Sequence, residues 1–132
     1  MEIATRRFAN AIVARPVGRI DHATSAEVET ALAPLVAEAG AAHGCLVLDF
    51  SALDYISSVG LRLLMVAAKQ LREQQAQLLV TALQPVVAEI FAISRFNRIL
   101  SVTERLDEAL ALCSPEALAA CRNEGDPSGG PR

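Results

Sequence analysis

The chain has 132 residues, enough for one domain around a single core, and its 52% hydrophobic and 20% charged residues exclude an intrinsically disordered chain. A net charge of −3 leaves no basic excess for neutralising phosphates, so direct nucleic-acid binding is not expected. No apolar run approaches the roughly 18 residues of a membrane span, and the N-terminal MEIATRRFANAIVARPVG lacks a signal-peptide block, so a cytoplasmic protein without membrane insertion is predicted.

Residues 2–9 and 11–17 read as two short β-like runs joined at Asn10, a hairpin. Gly18-Arg19-Ile20-Asp21 is then expected to turn the chain. Thr24 or Ser25 caps a helix running to about Ala39, with Val28, Leu32, Leu35 and Val36 on one side. Residues 45–50 are almost all apolar, as in a strand covered on both faces, and residues 51–56 are expected to be the loop after it.

A second helix runs from about Ser58 to Gln74, with Leu61, Leu64, Met65, Ala68 and Leu71 as its core stripe. Residues 77–82 form the next strand. Pro85 suits the first turn of a third helix, whose apolar face is Val86, Val87, Ile90 and Phe91. Residues 99–102 form a short last strand, and a final helix covers 104–113, extended after Pro115 to about Cys121. Residues 122–132, RNEGDPSGGPR, read as a disordered tail after a domain spanning 1–121. The pattern predicts an α/β fold: a mixed, mostly parallel central β-sheet of about five strands with about four α-helices.

Cys45, Cys113 and Cys121 are widely spaced and form no CxxC or Cys/His ligand pattern, so neither a metal nor another cofactor is expected. Cys45 reads as a small buried hydrophobe at the start of a strand.

The most informative stretch is residues 46–64, LVLDFSALDYISSVGLRLL. It places Ser57 and Ser58 where a strand and turn lead into an amphipathic helix, and a helix N-terminus favours negative charge. One of the two hydroxyls can cap the helix, with Gly60 allowing close packing. At 100° per residue, Leu63 is expected to point away from the core stripe, beside Val59 and Val66. Arg62, Lys69, Arg72 and Glu73 rim that apolar strip, a pattern suited to a protein–protein contact.

On these motifs the chain resembles the STAS-domain anti-sigma-factor antagonists, over residues 2–112. The family's Gly-x-Leu-Asp element is matched by Gly18-Arg19-Ile20-Asp21. Its Asp-Ser-Ser/Thr-Gly-Leu-Gly motif is matched by Ser57-Ser58-Val59-Gly60-Leu61-Arg62, preceded by Tyr55-Ile56. The downstream LQPVVAEIFAISRFNRI also fits. The resemblance implies a STAS fold and partner switching. The unphosphorylated antagonist binds an anti-sigma factor that is also a serine kinase and frees a sigma factor; phosphorylation ends binding, and a serine phosphatase reverses it.

By the same resemblance the phosphoacceptor is Ser58, with Ser57 as second choice. The partner-binding residues are Asp21, Ser57, Val59, Gly60, Arg62, Leu63 and Val66. Three motif positions depart from the family: Ser57 stands for its Asp, Val59 for its Ser/Thr and Arg62 for its second Gly. A monomer or weak dimer is expected.

The alternative is a constitutive, non-phosphorylated STAS subunit of an ABC-type lipid transporter or signalling scaffold. An enzyme is not expected. The serine lies outside a Gly-x-Ser-x-Gly elbow, no His pairs with it, and no Gly-rich phosphate loop is present.

Overall fold

A computed structural model of the protein describes residues 1–124. The hairpin forms as expected: β1 (Ile3–Phe8) and β2 (Ala11–Pro16) pair antiparallel, with Phe8 opposite Ala11. Three parallel strands extend this pair: β4 (Cys45–Asp49), β6 (Gln77–Thr81) and β7 (Ser101–Thr103), in the order β1-β2-β4-β6-β7. Five strands, mostly parallel, agree with the expected sheet.

Two further strands pair outside that sheet. β3 (Gly18–Ile20) and β5 (Leu53–Ile56) form a parallel two-stranded ribbon. Both segments were expected to be turn or loop. They are too short for a two-residue period to show, and their pairing brings together residues more than thirty positions apart. Gly18 makes the entry possible: its φ of 107° is open to glycine, and its N–H bonds Ala52 O at 3.0 Å.

Among the described residues, six helical segments replace the expected four. α1 (Ser25–Ala41), α2 (Ser58–Glu73) and α3 (Pro85–Ser94) lie where the periodicity puts them. A single turn, α4 (Phe96–Ile99), precedes β7. The final helix divides into α5 (Leu106–Cys113) and α6 (Pro115–Asn123). Pro115 causes the break, because proline disfavours helical backbone at the residue before it, and Ser114 is extended at φ −168°, ψ 154°. Helix α6 reaches Asn123, so Arg122 and Asn123 belong to it; the rest of the expected tail, from residue 125, lies outside the described residues.

The sheet separates two apolar layers. Ile12, Ala14, Leu46, Leu48, Leu78 and Val80 face α1, α2 and α3, whereas Ala11, Val13, Cys45, Val47 and Leu79 face α5 and α6. Strict alternation along β2, β4 and β6 divides the residues this way, as the pleat requires. Phe50, Phe91 and Phe96 close the first layer in edge-to-face contacts at 6.4 and 5.8 Å between centroids. Among the described residues, no helix is long and apolar enough to cross a membrane, and no group of three or more potential ligands could hold a metal ion.

Two side chains differ from the expected core. Met65 is 45% exposed and Val86 is 54% exposed. Ala67 takes the place expected for Met65 in the buried face of α2, which comprises Gly60, Leu61, Leu64, Ala67, Ala68 and Leu71. The helix is thus rotated toward the α1 side relative to the expected stripe.

Candidate functional site at the start of α2

The ribbon positions the site. Its two strands run parallel, so Ile20 and Ile56 end side by side and both following loops emerge at the same edge. Ser57 N–H donates to Ile20 O at 2.8 Å, tying the start of α2 to the Asp21 loop. Asp21 and the Ser57-Ser58 pair, 36 positions apart by their numbers, therefore occupy one surface.

The two serines have different environments. Ser57 is the N-cap of α2: its backbone is extended at φ −89°, ψ 174°, and its Oγ accepts from Gly60 N–H at 3.3 Å. Ser58 is the first helical residue, and it is exposed. Its hydroxyl stands at the end of the helix where first-turn N–H groups lack helical acceptors and where the dipole favours an anion.

Gly60 seats this first turn. A Cβ there would lie 2.6 Å from Ile56 Cγ1 and 2.8 Å from Ile20 Cγ2. Only glycine lets α2 press on the ends of β3 and β5 without a clash. Gly60 is buried, so its part in the site is to permit close packing and not to present a contact surface.

Asp21 organises the loop beside the serines. Its Oδ1 accepts from Ala23 N–H at 2.9 Å and Thr24 N–H at 3.2 Å. Thr24 occupies the N-cap position of α1 without the expected side-chain cap; its hydroxyl instead accepts from Asp21 N–H at 3.0 Å and donates to Arg19 O at 2.9 Å. Partial burial pushes the Asp21 carboxyl up. The two backbone N–H groups and the Arg19 guanidinium at 3.4 Å together outweigh that effect, so the carboxyl titrates below the usual carboxylate range.

Arg19 is a site residue that sequence reasoning missed. It pairs in register with Tyr55 across the ribbon, and its guanidinium lies 4.5 Å from the Tyr55 ring centroid. Nothing in the sequence signals this contact unless the β3–β5 pairing is already known.

The outer face of α2 also departs from expectation. Leu63, expected to point outward, is half-buried and packs against the core beside α1. It lines a small cleft of about 120 Å³ with Leu32, Val36 and Val66. Val59 is half-buried, Arg62 is exposed and Val66 is 47% exposed. With Met65 they form the outward surface that climbs α2 from Ser58.

Residues 2–109 match the family model of the STAS domain, and the chain belongs to that family. Among its relatives, it is 42% identical over 87 residues to a Bordetella bronchiseptica protein provisionally named the anti-sigma factor antagonist BtrV. That match covers 66% of this chain and 75% of the relative. In fold it is similar to an anti-sigma factor antagonist from Mycobacterium paratuberculosis, with TM-score 0.75 and 24% identity over 85% of this chain and 92% of the other. It is also similar to the antagonist SpoIIAA in its unphosphorylated form, with TM-score 0.65 and 15% identity over 84% and 95%. The phosphorylated form of SpoIIAA, described as a Bacillus cell fate determinant, gives TM-score 0.62 and 15% identity over 84% and 98%.

Proposed function

We propose that this chain is an anti-sigma-factor antagonist that works by phosphorylation-controlled partner switching. In its unphosphorylated form it docks an anti-sigma factor that is also a serine kinase, and a sigma factor is released. The kinase transfers a phosphoryl group from ATP to the Ser58 Oγ, and a serine phosphatase removes it.

The observation that carries this reading is the exposed Ser58 hydroxyl at the start of α2, adjoining an outward face of Val59, Arg62, Met65 and Val66. Ser57 is the poorer acceptor, because its Oγ already serves as the cap. A phosphate on Ser58 brings about −1.5 to −2 charges, which the helix N-terminus accommodates within the domain. The same charge must be desolvated or matched by any partner docking on the adjoining face. Arg62 stands one turn above Ser58, at the i+4 position where helical side chains meet. A phosphate would therefore engage Arg62 and withdraw a cation from the partner, switching the surface without refolding.

The test combines phosphopeptide mapping with binding to the cognate anti-sigma kinase. Wild type incubated with the kinase and ATP carries its phosphate on Ser58. Ser58→Ala binds the kinase but is not phosphorylated. Ser58→Asp binds at least about tenfold more weakly, equivalent to about 1.4 kcal/mol. If both variants bind as wild type does and no phosphate forms, Ser58 is not the switch, and a constitutive STAS subunit becomes the better description.

A further inference from the structure

On the face of the sheet opposite the serines, the covering helices stop short of the strand ends. Helices α5 and α6 pack on the cross-strand row Val13, Val47 and Leu79. Two residues further along each strand, the same face carries Arg15 on β2, Asp49 on β4 and Thr81 on β6. Thr81 is buried and bonds Thr103 O at 3.2 Å. Arg15 and Asp49 instead border a cleft of about 430 Å³. The cleft lies at the carboxyl ends of β2 and β4, where open α/β sheets hold ligands, and its size suits a small molecule.

Its walls divide by chemistry. Val13 and Leu106, both buried, form the apolar side. Arg15 Nε donates to Ser51 Oγ at 3.3 Å, which ties the guanidinium to the loop after β4. Among the described residues, the two terminal nitrogens of Arg15 have no partner. Arg6, opposite Val13 on β1, brings a second guanidinium, 4.7 Å from the Phe8 ring centroid and 3.8 Å from Glu124 Oε1. Both members of that ion pair are exposed, so it holds Arg6 weakly against a competing anion. Asp49 Oδ1 accepts from Ser51 N–H at 3.0 Å, and its Oδ2 has no partner among the described residues.

We propose that this cleft binds a small zwitterion, an α-amino acid with an apolar side chain. Arg15 takes the carboxylate, since a guanidinium presents paired N–H donors in the geometry a carboxylate accepts, and Arg6 adds a second positive charge. Asp49 Oδ2 accepts from the ammonium group, and the apolar side chain lies on Val13 and Leu106. The Asp49 carboxylate repels a phosphate or other dianion and favours a ligand that carries a donor beside its anionic group. The site lies across the sheet from Ser58 and does not rest on the phosphorylation reading.

The full chain, labelled with nitrogen-15, is titrated with L-leucine, L-valine and L-phenylalanine while its amide resonances are followed by NMR. At least one of the three should give saturable shifts at Arg15, Asp49 and Ser51. Leucinamide, which lacks the carboxylate, and 4-methylpentanoate, which lacks the ammonium, should each bind at least about tenfold more weakly than L-leucine. Arg15→Gln should weaken binding by a similar factor. So should Asp49→Asn, which keeps the oxygen that Ser51 N–H requires. No saturable shift with any of the three amino acids would overturn the proposal. So would shifts confined to other surfaces, or inorganic phosphate binding as tightly as the best amino acid. The ligand series on wild type alone separates these results, so the test holds even if a variant folds poorly.

Discussion

Replacing Gly60 with alanine tests whether close packing on the ribbon places Ser58. Alanine is favoured over glycine inside a helix by about 1 kcal/mol, so propensity alone predicts stabilisation. Against it, the new Cβ would meet Ile56 Cγ1 at 2.6 Å and Ile20 Cγ2 at 2.8 Å. Both isoleucines are β-branched and stiff at χ1, and they are only 1% and 2% exposed, so neither can swing clear. Overpacking of this kind costs about 1–3 kcal/mol, and two contacts on stiff side chains place this one at about 2–3 kcal/mol. The expected net loss is about 1–2 kcal/mol, a fall in Tm of roughly 3–10 °C for a domain of this size. Thermal unfolding followed by circular dichroism reads it directly. A Tm equal to or above wild type would mean that the first turn of α2 has room to move, and the account of how Gly60 sets Ser58 would be wrong.

Ser57→Ala removes the acceptor for Gly60 N–H and should lower stability by about 1 kcal/mol in urea unfolding, whereas Ser58→Ala should stay within about 0.5 kcal/mol. The reverse order would mean that Ser58 is the cap. Asp21→Asn keeps an oxygen for the Ala23 and Thr24 N–H groups but loses the charge that faces Arg19. Because the folded carboxyl titrates below its ordinary value, its contribution is complete above about pH 4 and is lost as pH falls through the folded pKa. The Tm of Asp21→Asn should therefore lie below wild type at neutral pH and converge with it on acidification; a gap that widens in acid would refute the assignment.

Much of the site was legible in the sequence because it rests on local rules. Serine before a helical pattern marks a cap, and Ser57 is one. Proline at a first turn marked the start of α3, and an asparagine between two alternating runs marked the hairpin. Other features were not legible. A segment of three or four residues is too short to display a period, so β3 and β5 looked like a turn and a loop. The stack of Arg19 on Tyr55 depends on that unseen pairing. On α2, the periodicity established an amphipathic helix but not its rotation to within a side chain. Packing beside α1 drew Leu63 inward and left Met65 outside.

By itself, the sequence determined the succession of the five main-sheet strands and of α1, α2 and α3, the two-faced burial of the strand that opens at Cys45 and the presence of an exposed serine at a helix start. Each of these follows from interactions between residues close in the chain or from alternation along one element. Only the tertiary structure decided which loops share a surface and which face of α2 looks outward. The Asp21 loop lies beside the Ser57-Ser58 turn because two short strands run parallel and Ser57 N–H bonds Ile20 O, and α5 covers β4 because both supply the second core layer. Such contacts join distant segments through packing on a common sheet, and no pattern within either segment encodes the partner it will find.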